Sequence, residues 1–536
     1  MDPDYLSYRV NSTFNIACAS KAFDDAKELE TFLKLSQKPS LDFSSSSTMR
    51  RVKEVFDTCE STHSACMSHP ASVLPTRVLQ VGTLQQPFLR LYTSQPGETG
   101  AYMTLSYCWG GSQEFTTTLD TLAQRSTAIQ EDDVPLTIQD AVLVTRHLGC
   151  PYLWVDALCI LQDCEKDKHR EIAHMGSIYK NSTLTIAATN AKNVKEGFLK
   201  NIPASTIFHV PHQLGDTFSA IQLSYKLQSP VRYHAKPLNK RAWALQEALL
   251  SPRVLSYGNT DIIWRCQSEG LVKSLNGYGT CQPLPSGIFK NHPAKENESR
   301  ESLVKRASLW NSIVQDYTGR GLSFTSDRMN AISGIASELS SYWKDVYIAG
   351  MWKTTAVQNL AWTGWQPHEW PWWAYFASED RPASVGARLR GPSWSWGSWS
   401  GQVNYARISV SQAELVDYQV HLLNSETPFL DVSEGTLHMR GIFLSLVQFN
   451  RVMPRWRRYY DEPGRKDSDE RSKYLILGWS DNAVVGLILE RLPEDGDRDT
   501  LRRIGLWVEY QYIPNFTPLR RMIRDEGLNK EDFTLV

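Results

Sequence analysis

Residues 152–189, YLWVDALCILQDCEKDKHREIAHMGSIYKNSTLTIAAT, carry the order strand, polar loop, helix, strand. Residues 152–155 are a short apolar run of strand-like composition. A polar turn follows, with Asp156, Cys159, Gln162 and Asp163 close together. Across residues 163–179 the spacing sets Ile172, Met175 and Tyr179 on one face of a charged helix. Residues 184–188 form a second apolar run. This βαβ order implies a parallel sheet. In such sheets ligands gather where the carboxyl ends of strands meet the following loops, and Asp156 sits at one of those ends.

Working outward, residues 102–107 read as a strand ended by Cys108-Trp109-Gly110-Gly111, whose glycines allow a sharp turn or a close backbone approach. Residues 136–148 place Ile138, Ala141, Val142, Thr145 and Leu148 on one helical face, closed by Gly149. Residues 74–81 and 88–92 alternate like two strands of a hairpin or meander. Downstream, residues 190–238 read as irregular, with His among Pro and Gly. Residues 239–250 form a helix stopped at Pro252, and 254–257 and 262–264 are short strands. The expected organisation is therefore a loosely ordered lead-in or pro-segment over 1–48 and an α/β domain over 49–270 with its own helix and strand lead-in. A linker or surface excursion over 271–300, a helical region over 301–390 and a β-rich region over 391–536 follow.

A chain of 536 residues exceeds one ordinary core. Hydrophobic content of 41% and a formal net charge of −1 describe a globular chain with no global electrostatic case for nucleic acid or anionic membrane. No apolar run reaches the roughly 18 residues needed to span a bilayer. The amino terminus, MDPDYLSYRV, is unlike a signal peptide. Nine cysteines, an odd number, sit in apolar segments, as reduced thiols of a cytoplasmic protein do. Cys59, His63 and Cys66 are zinc-ligand types, but they are three where a structural zinc takes four, so they read as a packed helix end and no metal is expected. The 18 tryptophans read as core fillers whose N–H groups need partners. HExxH, paired CxxC and Walker patterns do not occur.

Three blocks stand in order: residues 102–111 (YMTLSYCWGG), residues 152–189, and residues 241–255 (RAWALQEALLSPRVL). Together they resemble the fungal heterokaryon incompatibility (HET) domain family. PLTIQDAVLVTRHLG lies between the first two, where that family carries a helix, and the flanks CESTHSAC, SDRMNAISGIA and PSWSWGSWSG resemble the family's surroundings. The family is distantly similar to TIR domains, which have a flavodoxin-like parallel sheet and in some members cleave NAD at the nicotinamide bond. The resemblance implies a TIR-like fold and a role in regulated cell death when unlike fungal cells fuse. It also implies self-association or an incompatibility partner protein.

On the same resemblance Leu105-Ser106-Tyr107 matches the first TIR strand, while Trp243 and Glu247 match the tryptophan and catalytic glutamate of a TIR helix. N-glycoside cleavage calls for a carboxylate beside the sugar. The expected site is thus Glu247 as the catalytic group, with Tyr107, Trp109, Gly110, Asp156 and Trp243 around an NAD or nucleotide substrate and no separate cofactor. The plainer readings pair Glu247 with Arg241 or Arg253 and let Asp156 cap its turn. Glu171 reads as solvated or ion-paired, and Cys159, between Leu158 and Ile160, as a buried inert thiol. Two further readings stand beside the enzyme: a non-catalytic interaction module built on the Trp-rich motifs, and an accessory protein of a secondary-metabolite gene cluster.

Overall fold

The structure, a computed structural model, describes residues 14–18, 41–63, 66, 72–202, 207–214, 217–225, 236–259, 262–268, 273–274, 298–364, 386–422, 429, 432–452, 457–461, 471–492, 500–510 and 517–536. Most of the expected linker at 271–300, and most of the lead-in at 1–48, lies outside the described residues. The chain divides into two compact units, Met1–Lys240 with Glu247–Gly287, and Arg241–Gln246 with Ile288–Val536.

The first unit is built on an eight-stranded sheet. Its strands are β1 (Arg77–Gly82), β2 (Pro87–Thr93), β3 (Tyr102–Ser106), β4 (Tyr152–Trp154), β5 (Leu184–Ala187), β6 (Arg253–Tyr257), β7 (Ile262–Cys266) and β8 (Lys273–Ser274). They lie in the order β8-β7-β6-β5-β3-β4-β1-β2. The pairs β3–β4, β3–β5 and β5–β6 are parallel, and the pairs outside that set are antiparallel. The sheet is therefore a four-stranded parallel centre with antiparallel ribbons on both edges. Numbered among themselves in chain order, the four parallel strands run 2-1-3-4. The chain reverses its direction of travel across the sheet between β3 and β5.

Every residue of β3 and of β5 is buried, as expected for strands covered on both faces. Helix α1 (Ser46–Thr62) begins inside the serine run, where Ser45 accepts a hydrogen bond from the Thr48 N–H at 3.2 Å. A serine in that position caps one of the unpaired amides of a first turn, so the run that reads as lead-in is a helix start. Helix α2 (Leu136–His147) buries Ile138, Ala141, Val142 and Thr145 as the spacing requires. It gives way to Gly149 at φ +76°, a conformation only glycine adopts without strain. Helix α3 (Glu165–Lys180) completes the βαβ unit. Its Tyr179 hydroxyl donates to Leu105 O at 3.1 Å, and the Tyr102 hydroxyl donates to Ile178 O at 2.7 Å. Sheet and helix are thereby tied reciprocally.

Residues 190–238 are not irregular throughout. Ile207–Leu214 and Thr217–Tyr225 pair antiparallel, and Phe14–Cys18 adds to the second of them. Pro211 and the two histidines beside it break the apolar alternation by which a strand is recognised in sequence.

The second unit carries two long helices, Arg300–Thr318 and Asn330–Trp343. Its sheet includes Val432–Leu444, Ser472–Trp479, Ala483–Arg491, Thr500–Tyr510 and Glu531–Leu535. Pairing of Val432–Leu444 with Ser472–Trp479 closes these strands on themselves, which leaves them no edge. The Trp-rich motif at 392–401 is core. The indoles of Trp396 and Trp310 both donate to Gly350 O, at 2.7 and 2.9 Å, and Trp394 donates to Gly435 O at 3.2 Å. Gly350 has φ +100°, and a Cβ there would stand 2.6 Å from the Trp396 Nε1. Among the described residues no helix is long and apolar enough to cross a membrane.

Candidate functional site

Strands β3 and β5 lie side by side with Thr104 opposite Thr185 and Ser106 opposite Ala187. Thr104 and Ser106 are two residues apart and so share a face of the sheet. Helix α4 (Trp243–Leu250) is fastened to that face by hydroxyls. Ser106 Oγ donates to Glu247 Oε2, and Ser251 Oγ donates to the backbone O of Glu247 at 2.6 Å. Thr185 Oγ1 lies 2.5 Å from Ser251 Oγ, and Thr104 Oγ1 lies 2.6 Å from Thr185 Oγ1. Ser251 has one proton, committed to the carbonyl, so Thr185 must donate to Ser251 and Thr104 to Thr185. The result is a directional chain of hydroxyls across two parallel strands, ending on the residue expected to be catalytic.

All five side chains are buried, Glu247 at 4% exposure. A buried carboxylate is tolerated only with donors aimed at it, and Ser106 is one. Arg253 is not. Its guanidinium donates to Thr183 O at 2.9 Å, to Cys66 O, and to Cys59 Sγ at 3.4 Å, so the Glu247–Arg253 ion pair that sequence allowed is not made.

The loop after β3 meets the loop after β4. Trp109 Nε1 donates to Asp156 Oδ2 at 2.9 Å, and Asp156 Oδ1 accepts from the Ala157 N–H at 2.7 Å. Asp156 is the first residue of the turn Asp156–Cys159, binds the N–H that follows it there, and holds the half-buried Trp109. Gly110 follows at φ +81°, and a Cβ on it would sit 2.0 Å from Asn193 Cβ. Tyr107 is buried, its hydroxyl donating to Gln113 Oε1 at 3.1 Å.

Of the residues read from sequence, the structure joins Glu247 to the end of β3 and Asp156 to Trp109. Trp243 belongs with the second unit, where its indole donates to Asp327 Oδ2 at 3.4 Å. Burial is the first cause that pushes the Asp327 carboxyl up from its ordinary value. Ser106, Thr185 and Ser251 are additions. For Ser106 and Thr185 the sequence signal is a hydroxyl inside an otherwise apolar strand, whereas Ser251 lies between α4 and β6 and carries no such signal.

Glu171 is buried rather than solvated, with Arg170 Nε donating to its Oε1 at 3.2 Å, so the ion-paired half of its reading holds. Cys159 is fully buried, and burial pushes its thiol up to about 12, which fits an inert group. Cys59, Cys66, Cys108, Cys150, Cys159, Cys164 and Cys266 are not in disulfides.

Residues 102–247 match the model of a family described as Heterokaryon incompatibility protein (HET). This stretch is a HET domain. The match begins at the first residue of β3 and ends on Glu247, so the HET domain spans both ends of the Ser106–Glu247 contact. No curated protein and no solved structure matches the chain. The HET domain supplies β3, β4, β5 and helices α2 and α3, while β1, β2, β6, β7 and α1 come from outside the match.

Proposed function

We propose that this chain acts in heterokaryon incompatibility, its HET domain mediating regulated cell death by cleaving NAD or a related nucleotide at the N-glycosidic bond. The observation that carries this reading is the delivery of Glu247 to Ser106, the last residue of β3. The 2-1-3-4 order of the parallel strands supports a TIR-like, flavodoxin-like relation, because sheets of that order take ligands outside the carboxyl ends of strands 1 and 3. Ser106 and Ala187 are those ends here. In this mechanism the Glu247 carboxylate stabilises the oxocarbenium-like ribose as nicotinamide departs with the bonding electron pair. Water then adds to the same carbon and loses a proton, giving nicotinamide and ADP-ribose. Asp156 and Trp109 flank the neighbouring strand end, within a class of position that binds ribose hydroxyls.

One observation favours a second reading, a non-catalytic signalling module. Glu247 is 4% exposed and its carboxylate accepts from Ser106 on the sheet, as a carboxylate holding a helix to a sheet would. NAD consumption by the purified chain across a range of protein concentrations separates the two, with Glu247→Gln alongside. Turnover that rises with concentration and vanishes in Glu247→Gln supports the enzyme, self-association being the activating step. Intact NAD at every concentration, from a chain that still kills cells when overexpressed, leaves the signalling module.

A further inference from the structure

Cys59, His63 and Cys66 are three zinc-ligand types where a structural zinc needs four. The fold supplies the fourth. Cys59 lies in the last turn of α1, His63 is the residue that ends that helix, and Cys66 follows three residues later. Strand β7 brings Cys266 to the same place, and the ligand atoms of Cys59, His63, Cys66 and Cys266 all lie within 4.8 Å of one another. We propose that these four side chains form a structural zinc site.

Geometry supports this directly. Tetrahedral coordination with Zn–S bonds of about 2.3 Å places thiolates about 3.8 Å apart, so the cluster needs little contraction to close on an ion. His63 Nδ1 already lies 3.5 Å from Cys266 Sγ. Helical spacing of four sets Cys59 and His63 on one face, and the backbone turn continues tightly through the Cys66 N–H, which donates to His63 O at 2.8 Å. The three cysteines are buried, at 1%, 2% and 2% exposure. Four protein ligands leave no open position, which is the signature of a structural rather than a catalytic zinc.

Charge is the second, independent observation. Arg253 is wholly buried beside the cluster, and among the described residues no carboxylate pairs with it. A buried guanidinium without a counter-charge is costly. Zinc bound by three thiolates and a neutral imidazole carries a net charge of about −1, which Arg253 would neutralise. Its Nε points at Cys59 Sγ from 3.4 Å, the outer contact by which N–H donors stabilise metal-bound thiolates. Cys66 Sγ has a comparable neighbour in Ser268 Oγ at 3.0 Å.

The ligands fall on both sides of residues 102–247 and none within them. Zinc here would clamp α1 to β7 where Phe56 meets the Trp264 ring edge-on, locking the flanks of the HET domain to each other. It is a role beyond the proposed activity, and it stands or falls separately from NAD cleavage.

The test is metal analysis of the full-length chain purified without chelator, with Cys266→Ser and, as a control outside the cluster, Cys164→Ser. The expected result is about one zinc per chain in wild type and Cys164→Ser, and loss of most of it in Cys266→Ser. Should Cys266→Ser fail to fold, wild type alone decides. Titration with a mercurial thiol reagent should release its zinc, and cobalt exchanged into the site should give tetrahedral visible bands with thiolate charge transfer. A wild-type chain that holds no zinc and gives no such bands with added cobalt overturns the site. So does mass spectrometry showing a disulfide among Cys59, Cys66 and Cys266.

Discussion

Ser106 donates its hydroxyl proton to Glu247 across 141 positions of sequence, joining the end of the first parallel strand to the helix that closes the HET domain. Removing the donor takes one hydrogen bond from a buried carboxylate. Ser106→Ala should therefore cost about 1–3 kcal/mol. Glu247→Gln keeps an acceptor oxygen in place and should cost less, and under the proposed cleavage it should abolish NAD turnover. Urea unfolding followed by tryptophan fluorescence, run beside the NAD assay, reads both. Equal destabilisation by the two variants with unchanged turnover would assign Glu247 to holding the helix alone.

Two neighbouring glycines should behave differently. Gly110 and Gly111 both have positive φ, +81° and +125°, but only at Gly110 would a Cβ collide, 2.0 Å from Asn193 Cβ and 2.7 Å from its Cα. Gly111 has nothing within 4 Å. Backbone strain alone is worth about 1–3 kcal/mol, and the collision adds to it. Thermal melts should rank Gly110→Ala below Gly111→Ala. Gly110→Ala should also disturb the Trp109–Asp156 contact next to it, seen as a shifted tryptophan emission. Equal melting temperatures for the two variants would mean the loop relaxes away from Asn193.

The parts of the fold legible in sequence are those whose physics is local. β3, β5 and α2 announce themselves because a strand buried on both faces is a continuous apolar run, and an amphipathic helix repeats at its own period. The hairpin of Ile207–Leu214 and Thr217–Tyr225 is illegible because Pro211 interrupts the pattern, although the backbone tolerates it. Partner choice over long range is not written locally at all. Nothing near Glu247 names Ser106, and nothing near Cys59 names Cys266. Likewise nothing near Trp243 names Asp327, to which its indole donates.

Arg503 illustrates the same limit in the second unit. It sits mid-strand, fully buried, with Nε donating to Asp461 Oδ2 at 2.9 Å and Nη1 to Leu360 O at 2.7 Å, its guanidinium 3.6 Å from the centre of the Trp362 ring. Asp461 is equally buried. Breaking one side of such a pair leaves an uncompensated charge, so Asp461→Leu or Arg503→Met should each cost about 3–5 kcal/mol. The double variant Asp461→Leu/Arg503→Met should recover much of that loss. Denaturant midpoints of the three chains check the coupling, and additive losses would show that the pair does not act as a unit.

Acid sensitivity should arise at the edge of the HET domain, where Glu131 meets Arg146. The Arg146 guanidinium donates to both carboxylate oxygens, at 2.6 and 2.9 Å, and also to Val81 O and Phe88 O. That hydrogen bonding holds the Glu131 carboxyl below its ordinary 4.5, against a smaller opposing effect of burial. A carboxyl lowered in the folded state binds its proton more tightly when unfolded, so its contribution is fully present above the ordinary value and is lost as pH falls through the lowered one. Because the Glu131 side chain is 41% exposed, solvent screens the pair and the effect is modest. Glu131→Gln should therefore be less stable than wild type near pH 7, and the gap should close as pH falls below about 4.5. Unfolding midpoints of both chains from pH 7 down to the acid limb measure it. A gap that stays constant with pH would place the value of Glu131 in shape rather than charge.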